Sequence, residues 1–98
     1  MAETAERLPG ENLINKGLKD LGQEILSMEA LLVLIGSPRL KRMGLSIPVP
    51  KNFSGSPEHA LYNRLQSENP RGAHSRYNAL IRRLVSFERT LERQMGET

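Results

Sequence analysis

The side chains best placed for chemistry are the arginines of the C-terminal third. On a helical wheel Arg71, Arg82, Arg89 and Arg93 project within about 40° of one another, and Arg76 and Arg83 form a second row nearer the apolar edge. A ridge of guanidinium groups suits either a phosphate backbone or an acidic protein surface, since both offer oxygen pairs to the guanidinium fork. Arg39, Lys41 and Arg42 extend this candidate basic face from the middle of the chain. The plainer reading is a solvated helix face, partly neutralised by Glu88, Glu92 and an acidic N-terminal third. No aromatic or Gly-rich element interleaves with the arginines, and the net charge of +3 is mild. Nucleic acid therefore ranks behind a protein partner.

Other chemistry is sparse. His59 and His74 are the two histidines, and neither has an acidic residue three or four positions away on a shared face to make a metal pair. A surface or capping role is the expectation for both. Helical ribonucleases carry an Arg–His pair with four to six residues between. Arg71 lies too close to His74 for that spacing, and Arg64 too far. No serine sits in a Gly-x-Ser-x-Gly elbow. With no cysteine, thiolate metal sites, disulfides and a Cys nucleophile are excluded. The expectation is of no cofactor, no metal and no enzyme activity.

Glu88 is the misfit. Its wheel position falls among Ile81, Leu84 and Leu91, inside an apolar stripe. An unpaired carboxylate there would be costly. The reading preferred here is a partly exposed seam residue that pairs with a Lys or Arg of a neighbouring helix; a polar residue that specifies register or oligomeric state is the alternative.

Charge is distributed unevenly. Residues 1–36 carry −3, residues 37–56 carry +4, residues 57–69 carry −1 and residues 70–98 carry +3. Aromatics are 4% of the chain, so the core must be built from Leu and Ile. The N-terminal segment is acidic and lacks an apolar centre, and the run Ala30 to Ile35 is too short to cross a bilayer. The expected setting is cytoplasmic, without a membrane.

These groups need elements to position them. Residues 1–10 read as a mobile arm ending in Pro9-Gly10, and residues 11–98 as one helical domain. Ile14, Leu18, Leu21, Ile25, Met28, Leu32 and Ile35 recur at alternating steps of four and three, which predicts one long helix over about 12–35. Gly36 should cap it. Gly17 and Gly22 interrupt this helix, either as tolerated exposed positions or as points of close approach. Ser37-Pro38 would start a separate turn that Gly44 ends, and Ile47-Pro48-Val49-Pro50 must be extended. Ser56-Pro57 starts a short helix that Asn69-Pro70 stops. A final helix over about 72–94 carries Ala73, Tyr77, Leu80, Leu84, Phe87 and Leu91 in the same rhythm.

The expected fold is all-α. Two long amphipathic helices pack side by side, with a connector carrying the short helix. The run Ala30-Leu31-Leu32-Val33-Leu34-Ile35 is apolar all round and needs cover on several sides. A homodimer forming a helical bundle would supply it, and a monomer with the connector folded over the core is the competitor. The functional expectation is a small protein-interaction or assembly protein: adaptor, regulator or accessory subunit. A nucleic-acid-binding accessory protein using the Arg-rich face is the alternative.

Overall fold

A computed structural model describes residues 8–48, 50, 53 and 55–95. The chain is all-helical, and no strand occurs among the described residues. Among the described residues four helices follow in order: α1 (Glu11–Gly22), α2 (Met28–Arg42), α3 (Pro57–Glu68) and α4 (Ala73–Met95).

The expected long first helix is two helices, and the break has a local cause. After Gly22 the chain turns through Gln23 and Glu24, and Glu24 adopts the left-handed conformation at φ 61°. That turn lets the Ile25 N–H return to the Asp20 carbonyl at 2.8 Å and the Glu24 N–H to the Leu21 carbonyl at 3.0 Å. The carbonyls at the end of α1 are thereby satisfied. Ser27 then starts α2: its Oγ accepts from the Ala30 N–H at 3.1 Å and donates to the Asp20 carboxylate at 2.5 Å. Lys16 Nζ reaches the same carboxylate oxygen at 2.7 Å. The apolar recurrence ran on unbroken because Leu21 and Met28 both turn inward on either side of the bend. Ile25, counted in that stripe, sits in the turn and is 47% exposed.

The bend folds α1 back along α2. The approach is close: a Cβ on Gly17 would meet the Glu29 backbone carbonyl and lie 2.5 Å from Val33 Cγ2. Gly17 therefore marks a helix contact, whereas Gly22 faces open space.

A second expectation also changes. α2 does not stop at Gly36. It continues through Ser37 and Pro38 to Arg42 and ends as Gly44, at φ 97°, sends its N–H to the Lys41 carbonyl at 3.0 Å. The separate turn from Ser37 is thus the last part of α2, and Gly44 does terminate it. Gly36 serves as a crossing point, because a Cβ there would lie 2.8 Å from both Leu84 Cδ1 and Glu88 Oε2 of α4.

α3 and α4 match their sequence signals. Ser56 caps α3 through the His59 N–H at 3.2 Å, Pro57 occupies its first turn, and Leu61 and Leu65 are fully buried. α4 runs for 23 residues, which is about 34 Å at the usual rise. Its stripe turns Ala73, Leu84 and Phe87 into the core, with Tyr77, Leu80 and Leu91 half-buried.

α2 lies at the centre. It packs on α1, α3 and α4, and α3 also packs on α4. Ala30, Leu31, Leu32, Val33 and Leu34 are all buried. This explains why the run is apolar all round: three helices surround it. Ile47 of the connector is buried against the same core and Phe53 packs on it, while Val49 lies outside the described residues. Of the N-terminal arm, residues 1–7 also lie outside them. Leu8 is buried, and Gly10, at φ 79°, sits so close to α4 that a Cβ would lie 2.8 Å from the Arg83 carbonyl oxygen.

The two α1 glycines should respond oppositely to alanine. Gly17→Ala forces α1 off α2 and should cost about 2 kcal/mol or more through overpacking. Gly22→Ala meets nothing and should be neutral or stabilise by up to about 1 kcal/mol through helix propensity. Urea unfolding of both variants checks this, and equal effects would contradict the packing described for α1 on α2.

Candidate docking face on the last helix

The outer arc of α4 begins with Ser75 and runs through Asn78, Ala79, Arg82, Ser86 and Arg89 to Arg93, and all seven side chains are exposed. They share one side because helical spacing places them opposite Leu80, Leu84 and Leu91. Arg71 is exposed in the turn before the helix. Among the described residues, Arg71, Arg82, Arg83, Arg89 and Arg93 pair with no carboxylate.

The acids of α4 are drawn to the opposite flank. Arg39, near the end of α2, donates to Glu92 at 2.6 Å and to Glu88 at 3.4 Å. Glu88 is 5% exposed and lies over Gly36, where the missing side chain leaves room for its carboxylate. Glu88 is thus paired across helices with Arg39, as expected, but it is buried rather than partly exposed, because the crossing at Gly36 carries it into the contact. Arg39 is committed to this clasp and does not join the exposed ridge. Lys41 and Arg42 are exposed in the last turn of α2, and Arg42 adds its field to Glu92. Of the seven residues expected to form the basic face, Arg71, Arg82, Arg89 and Arg93 belong to the α4 side. The other three belong to the end of α2, beside the acidic flank.

The clasp shapes its own titration. The hydrogen bond from Arg39 holds the Glu92 carboxyl below the usual carboxylate range, and the same bond raises the Arg39 guanidinium. Burial pushes Glu88 the other way, above its ordinary value; Arg39 offsets part of this and Glu92 adds to it. Asp20, at the α1–α2 bend, is lowered by its hydrogen bonds from Lys16 and then Ser27.

Arg83 and Arg76 were expected to form one row, and they part company. Arg76 pairs with Glu68 at the end of α3, at 3.2 Å. Arg83 stays unpaired and, with Arg82, Ser86, Pro9 and Gly10, lines a groove of about 230 Å³. Sequence spacing did not reveal this groove, because one wall comes from the N-terminal arm.

The histidines occupy a separate place. His59 and His74 face one groove of about 430 Å³ with Ser56, Glu58, Tyr62, Tyr77 and Asn78. Tyr62 and Tyr77 meet edge to face at 5.6 Å, and His74 Nε2 lies 3.2 Å from Asn78 Nδ2. No group of three or more His, Asp or Glu side chains able to hold a metal ion occurs among the described residues. No helix of the described residues is long and apolar enough to cross a membrane.

The clasp makes a pH-dependent prediction. A carboxyl raised by folding adds stability at low pH that is lost as pH rises through its folded value, whereas the lowered Glu92 and Asp20 add stability that is lost as pH falls. Glu88→Gln removes the first contribution, so its stability relative to the parent should improve between about pH 4 and pH 7. At neutral pH it should sit within about 1 kcal/mol of the parent or above it. Arg39→Ala leaves Glu88 buried beside Glu92 without a cation and should lower the melting midpoint more than Glu92→Ala does. Thermal unfolding across this pH range reads both effects, and a Glu88→Gln loss as large as that of Arg39→Ala would contradict the assignment. Comparison of the chain with protein-family models, with curated proteins and with solved structures finds no match.

Proposed function

We propose that this chain is a small, non-catalytic helical interaction protein, an adaptor, regulator or accessory subunit, that docks an anionic partner on the outer face of α4. One observation supports this above the rest. Arg82, Arg83, Arg89 and Arg93 stand exposed and unpaired among the described residues, while both carboxylates of α4 are held by Arg39 on the other flank. Solvated helix faces commonly mix charges of both signs, which suits solubility. A face stripped of acids instead presents a concentrated positive potential suited to steering an anionic surface.

The working unit in this reading is the single chain. The apolar run at Ala30–Leu34 asks for cover on several sides, and α1, α3 and α4 supply it within one molecule. Ile25 and Met95 are the large apolar side chains left exposed among the described residues, and two such positions make a poor self-association seam. Light scattering on a sizing column should give a mass near 11.0 kDa at micromolar concentration. A stable mass of twice that would support the homodimer instead.

The docking role is tested with two polyanions, poly-L-glutamate and duplex DNA, followed by fluorescence anisotropy at low salt. The native chain should bind at least one of them. Arg82→Glu/Arg89→Glu/Arg93→Glu should abolish that binding with the helical circular dichroism unchanged. Binding of neither probe, or equal binding by the triple variant, would remove the reading.

A further inference from the structure

We infer that the groove between Pro9-Gly10 and α4 seats one phosphate of a duplex nucleic acid, whose backbone continues along Arg89 and Arg93; this rests on the docking reading above and names its partner class. The groove brings the Arg82 and Arg83 side chains together with the hydroxyl-bearing Ser86, all exposed and none paired with a carboxylate among the described residues. Two guanidinium forks and a hydroxyl around one small groove can together hold the two charged oxygens of a backbone phosphate.

Size points the same way. At about 230 Å³ the groove falls below the roughly 300–1,000 Å³ of sites that enclose a whole small molecule. It suits a single charged group that belongs to something larger. The wall is a built feature: Gly10 holds φ 79°, and a Cβ there would lie 2.8 Å from the Arg83 carbonyl oxygen, so this contact requires glycine.

Beyond the groove the same ridge continues. Arg89 and Arg93 lie about 10 Å and about 16 Å along the helix from Arg82 at the usual rise per residue. No acid stands on the outer arc between them. A ligand with regularly repeated negative charge fits this row better than one isolated anion. The arc also carries no aromatic side chain: its other members are Ser75, Asn78, Ala79 and Ser86. Single strands are held by bases stacked on aromatic platforms. A face of arginines alone contacts phosphates and leaves the bases stacked, which is how a duplex backbone is bound without regard to sequence.

The test titrates the full chain into a fluorescein-labelled DNA duplex longer than α4, and into labelled poly-L-glutamate, over a range of salt concentrations. Three phosphate contacts predict a log–log salt slope of about −2.7 for the duplex. Arg82→Ala/Arg83→Ala should weaken duplex binding by roughly tenfold and flatten the slope by about one. Arg89→Ala/Arg93→Ala should flatten it by about two. Lys41→Ala/Arg42→Ala, on the other flank, should leave slope and affinity unchanged. Circular dichroism confirms that each variant is folded. Duplex binding whose slope ignores Arg82→Ala/Arg83→Ala overturns the groove assignment. Poly-L-glutamate bound through the same arginines, with no duplex binding, overturns the nucleic-acid partner while the docking reading survives. Binding of neither probe removes both.

Discussion

Everything in this fold follows from the need to bury α2 on more than one side. Ala30 through Leu34 present no polar side chain, and all five are buried. A helix of that kind is unstable beside a single partner, because a stripe contact leaves most of its circumference in water. Three neighbours solve the problem, and each leaves a mark in the sequence. α1 must reverse direction to lie on α2, so the chain bends at Glu24 and Ser27 and meets α2 at Gly17. α4 must come close as well, so position 36 is glycine. α3 contributes Leu61 and Leu65, both fully buried.

The crossing at Gly36 ties packing to electrostatics. Bringing α4 that near carries Glu88 into the contact, where burial disfavours its charge. Arg39, three residues beyond Gly36, answers both Glu88 and Glu92. Such a partly buried pair is weak evidence for stability, since desolvation opposes the attraction. Arg39 pairs with both acids of α4, and helical spacing sets Arg82, Arg83, Arg89 and Arg93 away from that contact.

Much of this was legible in the residues. Ser56-Pro57, Asn69-Pro70 and the apolar rhythm from Ala73 to Leu91 marked α3 and α4 closely, because capping and periodicity agree there. The misfit of Glu88 pointed to a cross-helix cation, and Arg39 is that cation. The break in the first helix was hidden. Periodicity reports which side chains turn inward, and a short bend that keeps Leu21 and Met28 facing inward leaves the count intact. The left-handed residue is Glu24, where glycine is the usual signal, and Gly22 stands two positions too early to announce it. Pro38 suggested a boundary that α2 passes through. The Pro9-Gly10 groove and the shared groove of His59 and His74 were out of reach, because both join segments that only tertiary packing brings together.

The central claim is that the acid-free face of α4 is the surface this chain presents to its partner. The most direct measurement is an NMR map of backbone amide shifts as a polyanion is titrated into the full chain. The account predicts that shifts concentrate at Gly10, Arg82, Arg83, Ser86, Arg89 and Arg93. Shifts centred instead on His59, His74 and Tyr77, or spread evenly over Lys16, Lys19 and Lys41, would contradict it.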